Sequence, residues 1–205
     1  MKCLRYSKLF NTNMLKSHLN KDKNMKNTIY AEMMVHVPVC TSKTAEDILI
    51  ISDNADLLQA EASRHTESSL HVATCKLEEI SSLGDDAYDV IISEMEVDAV
   101  FASQINRILK EDGQFTSTHA SLDEVDTNKA MMKILGQYFK VIMPYNMGNG
   151  ETALLSSKEY HPTADINLQR SDMIDDLSYY NCDVHVGSFA MGNNVRKEYL
   201  GVIRN

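Results

Sequence analysis

The sequence predicts an α/β fold, a mostly parallel sheet with helices on both faces that ends in an antiparallel hairpin. Short apolar runs rich in β-branched residues, Ile48-Leu49-Ile50-Ile51 and Val90-Ile91-Ile92, read as buried strands. Longer amphipathic stretches separate these runs, the βαβα order that builds parallel sheets with helical crossovers. The last two strand-like runs are joined by a short Gly- and Asn-rich loop and no helix, so they are expected to pair antiparallel.

In order along the chain, Asp47–Ile51 is the first strand, and Asp53 or Asn54 can cap a helix over Ala55–His65 with Leu57, Leu58 and Ala62 on its apolar face. Leu70–Cys75 reads as a second strand, and Leu77–Leu83 as a short helix ended by Gly84. Tyr88–Ser93 is the clearest strand. A helix over Val97–Leu109 is expected to stop at the charged turn Lys110–Gly113, before a strand at Gln114–Thr118. A helix over Glu124–Tyr138, strands at Phe139–Met143 and Thr152–Ser157, and a loop over Pro144–Glu151 complete the pattern.

Composition narrows the function. The 205 residues hold 43% hydrophobic side chains and a net charge of −9, the make-up of one globular domain. A chain of this size buries roughly 70% of its unfolded surface without needing disulfides. Residues 1–28 carry seven Lys and Arg and one acid, a charge of +6, which leaves −15 on the rest. A polyanion is repelled by that body and a cationic ligand attracted, so nucleic-acid binding would rest on the basic leader with Tyr6 and Phe10. The apolar runs are far below the ~20 residues of a membrane span. Four scattered cysteines (Cys3, Cys40, Cys75, Cys182) without zinc spacing, and no secretory pattern, fit a cytoplasmic protein. The histidines, including His36, His71, His119, His161 and His185, show no metal spacing, and no metal is expected.

In open sheets of this kind ligands sit beyond the carboxyl ends of the strands. That rule singles out Ser52–Asp56, Cys75–Lys76, Ser93–Asp98 and Thr118–Ser121. The turn Ser52-Asp53-Asn54-Ala55-Asp56 has no glycine to bring backbone amides close to a phosphate, so it reads either as helix capping or as a ligand contact. Glu94, Glu96 and Asp98 form an acidic mouth at the end of a central strand. That mouth either starts the next helix, favoured by the helix dipole, or holds and deprotonates a cationic amine.

Taken together, these segments resemble the polyamine aminopropyltransferases, the spermidine synthase family. Thr28-Ile29-Tyr30-Ala31-Glu32-Met33-Met34-Val35-His36-Val37-Pro38 is similar to the family's Tyr-(Gln or His)-Glu-Met-(Leu or Ile)-(Val or Ala)-His-(Leu or Val)-Pro helix. Tyr88–Glu94 matches Tyr-Asp-Val-Ile-Ile-x-Asp, and Leu109–Gly113 matches Leu-Lys-Glu-Asp-Gly. Pro144 through Lys158 keeps the spacing from the family's Pro-Thr-Tyr-Pro-Ser-Gly loop to its Ser-Lys. Leu177–His185 and Phe189-Ala190-Met191 resemble its closing segment.

The resemblance implies a Rossmann-like, methyltransferase-type domain over residues 29–205, with residues 1–28 as the remnant of an N-terminal strand domain. It also implies transfer of an aminopropyl group from decarboxylated S-adenosylmethionine, a co-substrate and not a bound cofactor, to a diamine such as putrescine, in a homodimer or homotetramer. Glu94 falls where the family has its proton-accepting Asp, and Tyr30 on a substrate-pocket Tyr. Asp98, Tyr145 and Asn146 become candidate substrate contacts, and Asp53 and Asp56 candidate contacts to the nucleoside. The sequence departs from the family where Ser52–Leu57 replaces its Gly-Gly-Gly-Asp-Gly-Gly turn, and where Thr74-Cys75-Lys76 replaces the acid for the ribose. A family member that binds polyamines or assembles subunits without catalysis is the alternative.

Overall fold

The structure is a computed structural model that describes the backbone of residues 3–205 and the side chains of residues 22–205. Tyr6 and Phe10, the stacking candidates of the basic leader, have side chains outside the described residues. Among the described residues no helix is long and apolar enough to cross a membrane.

A six-stranded sheet runs in the order β2-β1-β3-β4-β6-β5. The strands are β1 (Asp47–Ile51), β2 (Ser69–Ala73), β3 (Tyr88–Ser93), β4 (Leu109–His119), β5 (Val141–Asn146) and β6 (Thr152–Ser157). The first four pair in parallel, whereas β6 runs antiparallel to both β4 and β5. The helices are α1 (Cys3–Thr41), α2 (Asp56–Ala62), α3 (Leu77–Ser81), α4 (Ala99–Ile108), α5 (Val125–Leu135), α6 (Leu168–Asp172), α7 (Cys182–Ser188) and α8 (Asn193–Glu198).

Strand alternation sends successive side chains into two cores. Ile48 and Ile50 of β1, Val90 and Ile92 of β3, and Ala153 and Leu155 of β6 meet Met33, Met34, Val37 and Leu58 from α1 and α2. Leu49, Ile51, Ile91 and Leu154 face the other way, against Phe101 and Ile105 of α4 and Met132 and Leu135 of α5. Helices thus cover both faces, which is why the central strands read as continuous apolar runs.

Three local expectations shift. The helix expected over Thr28–Pro38 is the end of a longer one, α1, which runs from Cys3 to Thr41. Arg170 closes its carboxyl end, donating to the carbonyl of Val39 in the last turn and to those of Ser42, Lys43 and Thr44 just beyond it. The turn at Lys110–Gly113 is instead part of β4. The chain passes from α4 straight into the strand, and Tyr88 and Val90 of β3 face Leu109 and Gln114 across a register shift. Gly113 serves this irregularity, since a Cβ there would lie 2.5 Å from Leu109 Cγ. Finally, β5 extends through Pro144 to Asn146, because an edge strand tolerates a residue with no N–H. The loop that follows is accordingly confined to residues 147–151.

The amino ends of β1 and β3 are tied by Asp89, only 3% exposed. Its carboxylate accepts from Thr44 Oγ1 at 2.8 Å, from the Glu46 and Asp47 amides at 3.0 and 2.8 Å, and from Lys110 Nζ at 2.9 Å. Burial alone would raise the Asp89 pKa, but the Asp47 amide, the Lys110 ammonium and the Thr44 hydroxyl outweigh it and hold the acid below its ordinary value. A depressed native pKa contributes stability above the unfolded-state value, and that stability is lost as pH falls through the native one. Asp89→Asn is therefore expected to cost about 2 kcal/mol at pH 7, the range for hydrogen bonds to a charged group. In urea unfolding, the gap between wild type and variant narrows once the pH drops below about 4.

Candidate active site

Beyond the carboxyl ends of the strands lies a cleft of about 330 Å³. Three separate stretches of chain line it around the carboxylate of Glu94, which follows β3. Helix α1 contributes Lys26, Asn27 and Tyr30, on adjacent turns of one face. The turn after β1 and the start of α2 contribute Asn54, Leu57 and Leu58. The loop after β5 contributes Asn149 and Glu151.

Glu94 is fixed from two sides. Tyr30 Oη donates to its Oε1 at 2.5 Å, and Ser52 Oγ donates to its Oε2. Its own amide donates to the carbonyl of Ile51 at 2.9 Å, which sets its backbone against the end of β1. Each carboxylate oxygen has two lone pairs, so both can still accept a proton from a ligand. Burial, followed by the hydrogen bond to Glu94 and the charges of Glu94 and Glu151, raises the Tyr30 pKa well above the ordinary tyrosine value. The phenol is therefore a donor throughout the physiological range.

The helix that carries Tyr30 is anchored two residues later. Glu32, 1% exposed, accepts from the backbone amides of Ser178, Tyr179 and Tyr180, each at 2.8 Å. A further turn along, His36 bridges α1 to α2. Its Nε2 is 2.8 Å from Glu61 Oε1 and its Nδ1 is 3.0 Å from His65 Nε2. The carboxylate can only accept, so His36 donates from Nε2. Burial, then the neighbouring His36 and the charge of Arg170, push the His65 pKa down to about 3, so His65 is neutral. Among the described residues, no three His, Cys, Asp or Glu side chains cluster in a way that could hold a metal ion.

Of the residues singled out in the sequence, Glu94 and Tyr30 converge on the cleft, and Asp53, Asp56, Asp98, Tyr145 and Asn146 do not line it. Tyr145 is core. It is 1% exposed, its hydroxyl donates to the Met33 carbonyl at 3.2 Å, and its ring packs on Phe189 with centroids 5.2 Å apart. The alternation of β5 that buries Val141 and Met143 in the helical core buries Tyr145 with them. Asn146, at the end of β5, is exposed. Asp98 caps α4, accepting the Phe101 amide at 2.7 Å. Asp53 accepts the Cys75 amide at 3.0 Å and so ties together the ends of β1 and β2, while Asp56 is exposed in the first turn of α2.

Sequence reasoning missed Lys26, Asn149 and Glu151. Two signals pointed to them. Lys26 is four residues before Tyr30 on a helix, and β5 runs in the same direction as β3, so the loop after it belongs to the ligand-binding end of the sheet.

No protein-family model matches the chain. A polyamine aminopropyltransferase from Helicobacter acinonychis is 25% identical over 219 residues, covering 87% of this chain and 80% of that protein. One from Helicobacter pylori strain G27 is 25% identical over 91% of this chain and 83% of its own length. One from Clostridium beijerinckii is 25% identical over 85% and 78%.

The chain is thus similar to polyamine aminopropyltransferases over most of its length. Its fold agrees with that of solved spermidine synthases. A spermidine synthase from Thermotoga maritima superposes with a TM-score of 0.73 at 22% identity, over 86% of this chain and 75% of that one. A spermidine synthase in complex with the transition-state analogue AdoDATO gives 0.74 at 21% identity, over 83% and 75%. The expected Rossmann-like, methyltransferase-type sheet with its antiparallel final hairpin is the fold this chain has.

Two substitutions test how the cleft is held. Glu32→Gln turns an acceptor of three amides into a group whose N–H₂ faces donors, and is expected to cost about 2–3 kcal/mol. In hydrogen exchange, the Ser178–Tyr180 amides should lose protection before the sheet does. Gly148, at φ +82°, has the Tyr179 hydroxyl 1.9 Å from where a Cβ would be. Gly148→Ala is expected to cost about 1–2 kcal/mol in backbone strain alone. It should also displace Tyr179, read as a changed ring environment by NMR.

Proposed function

We propose that this chain transfers an aminopropyl group from decarboxylated S-adenosylmethionine to an amine acceptor, with Glu94 as the proton acceptor. The observation that carries the reading is the Glu94 carboxylate, held between the Tyr30 and Ser52 hydroxyls in the cleft at the carboxyl end of the central strand. The sequence similarity to polyamine aminopropyltransferases along most of the chain supports it.

The chemistry asks for such a group. An acceptor amine is an ammonium ion at neutral pH and has no lone pair for attack, so it must first lose a proton to a base within hydrogen-bond reach. Glu94 takes that proton. The nitrogen lone pair then forms a bond to the methylene next to the sulfonium, the carbon–sulfur bond breaks, and its electron pair stays on sulfur, so a neutral thioether leaves. The donor carries positive charge as well, and the −15 carried by residues 29–205 draws both substrates toward the chain. Aligning the two in one cleft supplies much of the rate of such a bimolecular step. Tyr30 and Ser52 fix the base; neither loses a proton in this scheme.

A polyamine-binding member without catalysis is favoured by one observation. Asp53 is bonded to the Cys75 amide at the end of β1, in the turn where the family has glycines, which leaves its carboxylate partly occupied. Incubation with putrescine and decarboxylated S-adenosylmethionine separates the two readings. Thioether and aminopropylated product are expected, and Glu94→Gln should lower kcat by about 10²-fold or more. Turnover that survives Glu94→Gln removes Glu94 as the base, and binding of both ligands without any product establishes the non-catalytic reading.

A further inference from the structure

Lys26 places a cation in a cleft that would hold a cationic acceptor. It stands one helical turn before Tyr30 on α1 and shares the cleft with Glu94 and Glu151. Among the described residues it takes part in no ion pair. A cleft of 330 Å³ is about 7 Å across, less than a Debye length at physiological salt, so mobile ions do little to screen the Lys26 ammonium from a bound ligand. A simple diamine presents two ammonium groups to two carboxylates and has nothing to offer Lys26. A ligand with two amines and one carboxylate matches all three charges.

We propose that the acceptor is a diamino acid, whose carboxylate pairs with Lys26 and the side-chain amide of Asn27, whose α-ammonium pairs with Glu151, and whose distal amine is delivered to Glu94. The proposal rests on the aminopropyl-transfer reading and names its acceptor. The balance of the step is unchanged: the distal nitrogen gives up a proton to Glu94, gains the propyl carbon, and the thioether leaves. Like charges facing each other in a confined site discriminate against the wrong ligand as strongly as new attractions favour the right one.

The test uses L-ornithine and putrescine as probes, by titration calorimetry on the full chain and by mass spectrometry of products formed with decarboxylated S-adenosylmethionine. Ornithine is expected to bind at least tenfold more tightly than putrescine. Lys26→Gln should weaken ornithine about tenfold while leaving putrescine equal or tighter, and Lys26→Arg should restore ornithine. Lys26 is exposed, so these variants keep the fold. With turnover, the change should appear in KM and not in kcat, as for a contact made equally in ground and transition states. Tighter binding of putrescine than ornithine, or indifference of both to Lys26→Gln, overturns the diamino acid assignment, and product from putrescine in that case leaves aminopropyl transfer standing. Lys26-dependent ornithine binding with no product from either acceptor has the opposite meaning: the ligand class holds and the transfer reading falls.

Discussion

The rest of the structure depends on the buried carboxylate of Glu32. Its oxygens receive three consecutive backbone amides, Ser178 to Tyr180, from a segment nearly 150 residues away in the chain. A carboxylate with 1% exposure is stable in an apolar core only when its hydrogen bonds are supplied, and here the main chain supplies them. This single contact positions two things. It fixes the rotation of α1 two residues from Tyr30, and it seats Tyr179, whose hydroxyl packs onto Gly148 in the loop that brings Asn149 and Glu151 to the cleft.

Around that anchor, polarity is divided between the two ends of the sheet. At the amino ends of β1 and β3, Asp89 and Asp47 meet Lys110, and Asp89 also accepts from the Thr44 hydroxyl and the Glu46 and Asp47 amides. At the carboxyl ends, Glu94 is held by two neutral hydroxyls and no described cation neutralises it. The first arrangement stabilises the fold. The second leaves negative charge available in a cleft, which suits work on a cation. Lys26 lines the same cleft, and for the acceptor proposed above it is the group that opposes a second ammonium.

The histidines and the long α1 show how buried polar groups were absorbed by the architecture. His36 is matched to Glu61 and His65, and His185 accepts from the Tyr180 hydroxyl and donates to the Pro162 carbonyl. Burial pushes the His185 pKa down to about 4, so it stays neutral and keeps that pairing. Each network ties α1 or its neighbours to a distant segment, and none of these side chains lines the cleft.

The sequence by itself determined most of the sheet and singled out Glu94. β1, β3 and β6 were legible at their observed limits, because strands buried on both faces are written as unbroken apolar runs, and Glu94 was legible because it follows the clearest of them. Local signals also misled: the charged stretch ending in Gly113 and the proline at 144 look like a turn and a strand end, but a close approach to Leu109 and an edge position accommodate them. Tyr145 was the counterpart in the site, a neighbour of the aligned position Asn146 that strand alternation sends into the core. Only the tertiary structure decided which side chains share the cleft. Lys26, Asn54, Glu94 and Glu151 are separated by long stretches of sequence, and their proximity follows from how α1 and the closing segment pack on the sheet, which no local periodicity encodes.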